Sequence, residues 1–224
     1  MEFDSFVLAA ATADLDEEPA ARDHADAVEF RMDLADRPRE QLDDYDGDLP
    51  LVVTNRPEWE GGEATVEEAA RLDALVTAAD HEAVEAVDVE LTSLRSDAGA
   101  ETAAAVRNRG VSVVASVHDF DATPPKDRLT ALLSEAAERG DVGKLAVTAT
   151  DRSDALALLS ATYAATRRGD DVATMAMGRA GRHTRAVAPV YGSKIGYAPV
   201  DPAKATAPGQ YDLSTLASLV EQLS

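Results

Sequence analysis

The chain has no cysteine. Disulfides, thiolate metal sites and cysteine nucleophiles are therefore excluded. Lysine is almost as scarce: Lys126, Lys144, Lys194 and Lys204 are the only four, and none precedes position 126. No run of about 18 or more apolar residues occurs, so no transmembrane helix is expected. The first residues show no basic patch followed by an apolar stretch and a small-residue cleavage site, and a cytoplasmic location is expected. Positive charge is short overall. Lys plus Arg is 21 against 42 Asp plus Glu, a net formal charge of −21. Such a surface repels nucleic acid and anionic membranes, so neither is an expected partner. No G-x-G-x-x-G follows the first candidate strand and no Walker A pattern occurs, which leaves dinucleotide and P-loop chemistry without support.

What remains is one domain's worth of foldable chain: 224 residues, of which 45% are hydrophobic. An acidic, lysine-poor, Ala-rich composition resembles that of cytoplasmic proteins of salt-loving archaea. At about 1 M salt the Debye length is only about 3 Å, so the self-repulsion of such a surface is screened. An acidic protein of low-salt origin is the alternative.

Apolar, β-branched runs alternate with Ala/Glu/Arg-rich stretches of helical period throughout the chain. The pattern predicts strands at Ser5–Ala11, Ala27–Asp33, Leu49–Thr54, Ala86–Leu91, Val111–Val117, Val142–Thr148, Val172–Met177 and Val190–Ile195. Helices are predicted between them, among others over Thr65–Ala79, Ala98–Asn108, Lys126–Arg139, Asp151–Arg167 and Leu213–Gln222. Repeated strand–helix alternation implies a parallel sheet covered by helices. Eight repeats in this length fit a closed (β/α)8 TIM barrel, an α/β fold, in a single domain spanning residues 1–224. The site of such a barrel lies at the carboxyl ends of its strands.

Polar residues at those ends are the candidates. In Ala27-Val28-Glu29-Phe30-Arg31-Met32-Asp33, alternation puts Glu29, Arg31 and Asp33 on one face and Val28, Phe30 and Met32 on the other. Charges facing the barrel interior are costly as mere filling; the alternative is an internal salt-bridge ladder. Arg56 and Glu60 follow the third strand, beside Gly61 and Gly62. Asp88 and Glu90 share a face of the fourth and read as support for neighbouring charges. Of the four histidines only His118 terminates a strand, where an imidazole can move a proton near neutrality. His24 and His81 fall in charged helical stretches, and His183 in a loop. Lys144 stands in the sixth strand with Ala146 and Thr148 on its face. Facing inward, it would be a nucleophile toward carbonyls; the alternative is a lysine at the strand's start with its head in solvent. The loop Arg179 to Arg185 carries three arginines suited to a carboxylate or phosphate. Small, polar residues 205–210 suit a substrate clamp. No clustered set of metal ligands is present, since the carboxylates alternate with arginine and His118 lacks a spaced histidine partner.

Taken in order, these segments resemble the type I 3-dehydroquinate dehydratases. The matching segments are Glu29-Phe30-Arg31-Met32-Asp33, Thr54-Asn55-Arg56 with Glu60-Gly61-Gly62, Ser116-Val117-His118-Asp119-Phe120, Lys144, Met175-Ala176-Met177 with Thr184-Arg185, and Ala207-Pro208-Gly209-Gln210. The resemblance implies a lyase of the shikimate pathway that forms 3-dehydroshikimate from 3-dehydroquinate by syn elimination of water, without a cofactor or a metal. In that family pattern Lys144 matches the Schiff-base lysine, His118 the general acid–base, and Glu60 the residue that orients it. Arg185 matches the clamp on the substrate carboxylate. Glu29, Arg31, Arg56, Thr206 and Gln210 match substrate-binding positions. Thr206 and Thr184 stand where serine is usual. The resemblance also implies a homodimer, and, with the short N-terminus, an absent or reduced hairpin at the barrel floor. A class I aldolase would share the lysine but has no reason to carry Thr184-Arg185 with Ala207-Pro208-Gly209-Gln210. A non-catalytic barrel that binds a carboxylated metabolite would not need Lys144.

Overall fold

The computed structural model describes residues 1–204, 207 and 209–223. The strands are β1 (Val7–Thr12), β2 (Ala27–Arg31), β3 (Leu51–Thr54), β4 (Val84–Glu90), β5 (Ser112–Asp119), β6 (Val142–Thr148), β7 (Val172–Met177) and β8 (Ile195–Pro199). All pair in parallel in the order β7-β6-β5-β4-β3-β2-β1-β8. Only the seam between β7 and β8 is thin. There, Val172 bridges Ser193, Lys194 N–H donates to Val172 O at 2.7 Å, and Thr174 N–H donates to Ser193 Oγ at 3.0 Å. The sheet is thus a nearly closed (β/α)8 barrel.

The long helices are α2 (Glu68–Ala78), α4 (Asp97–Arg107), α5 (Lys126–Arg139), α6 (Arg152–Arg168) and α9 (Leu213–Leu223). The short ones are α1 (Pro38–Asp43), α3 (Leu91–Leu94), α7 (Gly178–Gly181) and α8 (Thr184–Val187). Helix α6 begins where its sequence says it should. Asp151 accepts from Ser153 and Asp154 N–H while Asp154 reaches back, and Gly169 in the left-handed region (φ 90°) ends it.

Strand period two divides the core into layers. Outward residues such as Val28, Phe30, Val53, Val87, Val113, Leu145 and Val147 pack against Leu72, Leu75, Leu129, Leu133 and Leu158 of the helices. Inward residues low in the barrel are apolar and mostly small: Ala9, Ala27, Val52, Ala86, Val114, Val142, Ala173 and Ile195. Phe3 packs among them, so the segment before β1 helps close the floor, and β1 is the first strand. Higher up, the inward positions turn charged.

One strand lies elsewhere than its sequence pattern suggests. The expected strand Val190–Ile195 is a 3-10 turn, Ala188–Tyr191, and β8 starts at Ile195. Pro189 at the turn's first positions and Gly192 in the left-handed region (φ 95°) stop extension there. Strand β2 also ends at Arg31, with Asp33 in the following turn. His81 is half-buried after α2 rather than on a solvated helix, and its Nδ1 accepts from Ala83 N–H at 3.2 Å.

Candidate active site

A cavity opens at the carboxyl ends of the strands. Glu29 and Arg31 reach it from β2, Arg56 and Glu60 from the segment after β3, His118 from β5, and Lys144 and Ala146 from β6. Met175 and Met177 come from β7, Arg185 from α8, Tyr197 from β8, and Gln210 from the segment before α9.

Lys144 faces inward and is 4% exposed, so its head is not in bottom solvent. Its Nζ lies 2.8 Å from Asp88 Oδ2, 3.8 Å from Glu29 Oε1 and 4.1 Å from the centre of the Tyr197 ring. Glu29 is held by Thr54 Oγ1, which donates to Oε1 at 3.0 Å. Asp88 also accepts from Arg56 NH2 at 2.8 Å and from Ser116 Oγ at 2.5 Å. The other arm of Arg56 donates to Glu90 Oε1 at 2.6 Å and to Ser116 Oγ at 2.7 Å. Burial alone favours neutral forms; for Asp88 and Arg56, opposite charges at contact distance reverse that. Burial opposes ionisation of Asp88, but Arg56 and Lys144 hold its carboxyl far below the usual range. Burial likewise opposes the charge on Arg56, and Asp88 and Glu90 outweigh it and raise its pKa. Asp88 and Glu90 thus act as support for neighbouring cations.

His118 and Glu60 form the second cluster. Glu60 Oε1 lies 3.0 Å from His118 Nδ1 and accepts the His118 backbone N–H at 2.9 Å. An oxygen that already accepts the amide fits a ring protonated at Nδ1, which leaves Nε2 as the basic nitrogen. Burial, then the nearby Arg56 and Lys144, lower the imidazole pKa well below its ordinary 6.5. Burial raises the Glu60 carboxyl to about 8 against the opposing pull of Arg56, with Glu90 and Asp88 adding to the rise. Phe120 stacks on the imidazole, ring centres 6.0 Å apart. Local backbone supports this arrangement. Gly61 adopts φ 78°, and a Cβ on Gly62 would sit 2.1 Å from Arg56 O.

Arg185 is the third element. It is 4% exposed, and its Nε and NH2 have no hydrogen-bond partner among the described residues. Burial lowers its pKa to about 10. Thr184 positions it: Oγ1 donates to Gly181 O and accepts Ala176 N–H, both at 2.8 Å. A buried guanidinium with free donors in a cavity is arranged for an anion, and its planar fork matches a carboxylate. The two other arginines of this loop lie elsewhere. Arg179 is exposed, and exposed Arg182 lies 3.9 Å over the Tyr211 ring.

Arg31 donates twice to Asp33, at 2.9 and 2.7 Å, so Asp33 holds Arg31 rather than facing the cavity itself. Gln210 Oε1 accepts Ala207 N–H at 3.1 Å. Thr206 lies outside the described residues. Tyr197, Met175, Met177 and Phe120 line the cavity without having been singled out as site residues from sequence. They are apolar or singly polar, and nothing in a strand's alternation marks such residues as functional. Among the described residues, no group of three or more His, Cys, Asp or Glu is placed to hold a metal ion. No helix among them is long and apolar enough to cross a membrane.

The family model of type I 3-dehydroquinase matches residues 6–224. The 3-dehydroquinate dehydratase of Haloarcula marismortui is 61% identical over 227 residues, covering 100% of this chain and 98% of its own. The crystal structure of 3-dehydroquinate dehydratase from Geobacillus kaustophilus superposes with a TM-score of 0.87 at 28% identity, over 98% of this chain and 91% of that one. The type I enzyme from Clostridium difficile, solved with covalently modified comenic acid, also gives 0.87, at 25% identity over 98% and 92%.

Proposed function

This chain belongs to the type I 3-dehydroquinase family, and from that premise we propose that it removes water from 3-dehydroquinate through an imine on Lys144. The dehydration serves the shikimate pathway and aromatic amino-acid biosynthesis. The observation that carries the covalent route is one buried lysine in the same cavity as the His118–Glu60 pair and an Arg185 whose Nε and NH2 have no hydrogen-bond partner among the described residues.

Arg185 takes the substrate carboxylate and sets the ring's orientation. The Lys144 amine, freed of its proton, adds to the ketone carbon. The carbinolamine loses water and becomes a protonated imine. A proton beside a ketone is hard to remove, and a protonated imine accepts the developing electron pair far better. His118 Nε2 takes the C2 proton, and the electron pair moves into the imine to give an enamine. Return of that pair expels the neighbouring hydroxyl, which leaves as water with the proton carried by His118. Hydrolysis of the imine releases 3-dehydroshikimate and restores Lys144. Glu60 holds the ring in the useful tautomer, while Glu29, Arg31, Arg56, Thr206 and Gln210 bind the ring hydroxyls and carboxylate. Asp88 holds the Lys144 head at the centre of the barrel. No step calls for a cofactor. A homodimer and a cytoplasmic location belong to the same reading.

The test is turnover in high salt, followed by the ultraviolet absorbance of the conjugated enone product. Wild type is expected to turn over, and Lys144→Met to lose at least about 1,000-fold in kcat, as for removal of a covalent nucleophile. Undiminished turnover by Lys144→Met would overturn the imine.

A further inference from the structure

Arg71 lies on α2, outside the barrel and outside the cavity, yet it is 0% exposed. A guanidinium so placed is costly unless every donor is used, and a Leu or Met would fill the space at less cost. Its donors are used on both sides of a neighbour. NH1 donates to Asn55 O at 2.8 Å. That oxygen belongs to the peptide unit leading into Arg56. NH2 pairs with Glu90 Oε2 at 2.7 Å, and the other oxygen of Glu90 accepts from Arg56 NH1 at 2.6 Å. On the outer side, Glu68 accepts from Nε and NH2 at 3.0 Å and Ser93 Oγ lies 3.0 Å from NH2. An alternating line of charge therefore runs Glu68, Arg71, Glu90, Arg56, Asp88, Lys144, from a half-exposed carboxylate to the cavity floor.

We infer that Arg71 is a positioning residue for the dehydration: it fixes Arg56 through both its backbone and its Glu90 partner, and through Arg56 sets the field in which His118 works. The inference rests on the reading of the cavity given above. Burial raises the Glu90 carboxyl pKa, and Arg56 and Arg71 are the cations that oppose that rise; without Arg71, only Arg56 is left to satisfy it. Arg56 then turns both arms toward Glu90, away from Asp88 and Ser116. The charged groups facing His118 are Glu60, Arg56, Lys144, Asp88 and Arg31. Moving Arg56 back weakens the positive field at the imidazole.

The experiment compares Arg71→Met, Arg71→Lys and a control, Leu75→Ala, on purified protein in high salt. Leu75 is a buried apolar core residue of the same helix that carries no charge or hydrogen-bonding side chain. Arg71→Met is expected to lose on the order of 100-fold in kcat/KM, because a charged network is broken at one member. The acid limb of its kcat/KM profile moves up by about half a unit or more, as the imidazole regains basicity. Arg71→Lys keeps the charge but has one nitrogen in place of a fork, and recovers roughly tenfold of that loss. Leu75→Ala lowers Tm with the limb unmoved. If Arg71→Met does not fold, the limb of Arg71→Lys decides. Overlay of the Arg71 limbs on those of wild type and Leu75→Ala would overturn the inference and leave Arg71 a packing residue. Wild type inactive on 3-dehydroquinate would instead overturn the functional reading itself.

Discussion

A single oxygen, Oε1 of Glu60, meets both the ring Nδ1 and the backbone N–H of His118, at 3.0 and 2.9 Å. The pair is therefore locked in rotation as well as in distance. It sits in a cavity where burial raises the carboxyl to about 8 and lowers the imidazole.

That geometry makes Glu60 a cost to the fold. Its folded pKa is raised above the unfolded value, so between about pH 4.5 and 8 the folded state holds a proton that the unfolded state has released. Stability falls as pH rises through that window. Glu60→Gln stays neutral and is expected to raise Tm at pH 8 by on the order of 5 °C while lowering kcat about tenfold or more. The gain shrinks toward pH 4.5. Thermal melts at pH 5 and pH 8, beside kcat, check both halves; a Tm drop at pH 8 contradicts the burial argument.

The acid limb of activity follows His118. Activity requires the neutral imidazole, so it declines only as pH falls through a pKa well below 6.5. An unperturbed histidine would already lose half its activity near 6.5. The steady-state kcat/KM profile distinguishes the two, and a midpoint at or above 6.5 rules out the buried, cation-flanked base.

Arg185 is held ready at similar cost. Its Nε and NH2 have no hydrogen-bond partner among the described residues, and its pKa is lowered to about 10. Arg185→Met is expected to raise Tm while raising KM roughly 100-fold or more, the loss of a bidentate charge-assisted contact. Arg185→Lys restores charge but not the fork, and KM stays at least about tenfold high. Isothermal titration with a carboxylate analogue on both variants measures this without turnover.

The surface carries a net charge of −21, and the family relative in Haloarcula marismortui is a halophile's protein. Diluting salt from about 1 M to 0.1 M lengthens the Debye length from about 3 to about 10 Å and exposes that self-repulsion. Tm is expected to fall by several degrees across this range and to recover when potassium chloride is restored. A Tm flat with salt contradicts salt adaptation.

Strand alternation made the barrel legible: β6 and β7 lie at the predicted residues, and most other strands within about two positions. The eighth strand was displaced because Val190 reads as strand-forming, whereas Pro189 and Gly192 around it dictate a turn. Glu29, Arg31, His118 and Lys144 were legible because a charged residue in a buried strand must point somewhere paired. Pairing itself was not legible. That Asp33 turns onto Arg31, that Arg56 bridges Asp88 and Glu90, and that Arg71 reaches in from α2 depend on contacts across layers, which no spacing along one strand encodes.

The covalent role of Lys144 is tested most directly by trapping. The protein is mixed with 3-dehydroquinate in high salt and treated with borohydride, which reduces an imine to a stable amine. Intact mass and a peptide map are then read. A ligand-sized gain confined to the peptide carrying Lys144 is the predicted result. No adduct on folded, active protein, or one on Lys126, Lys194 or Lys204 instead, would contradict it.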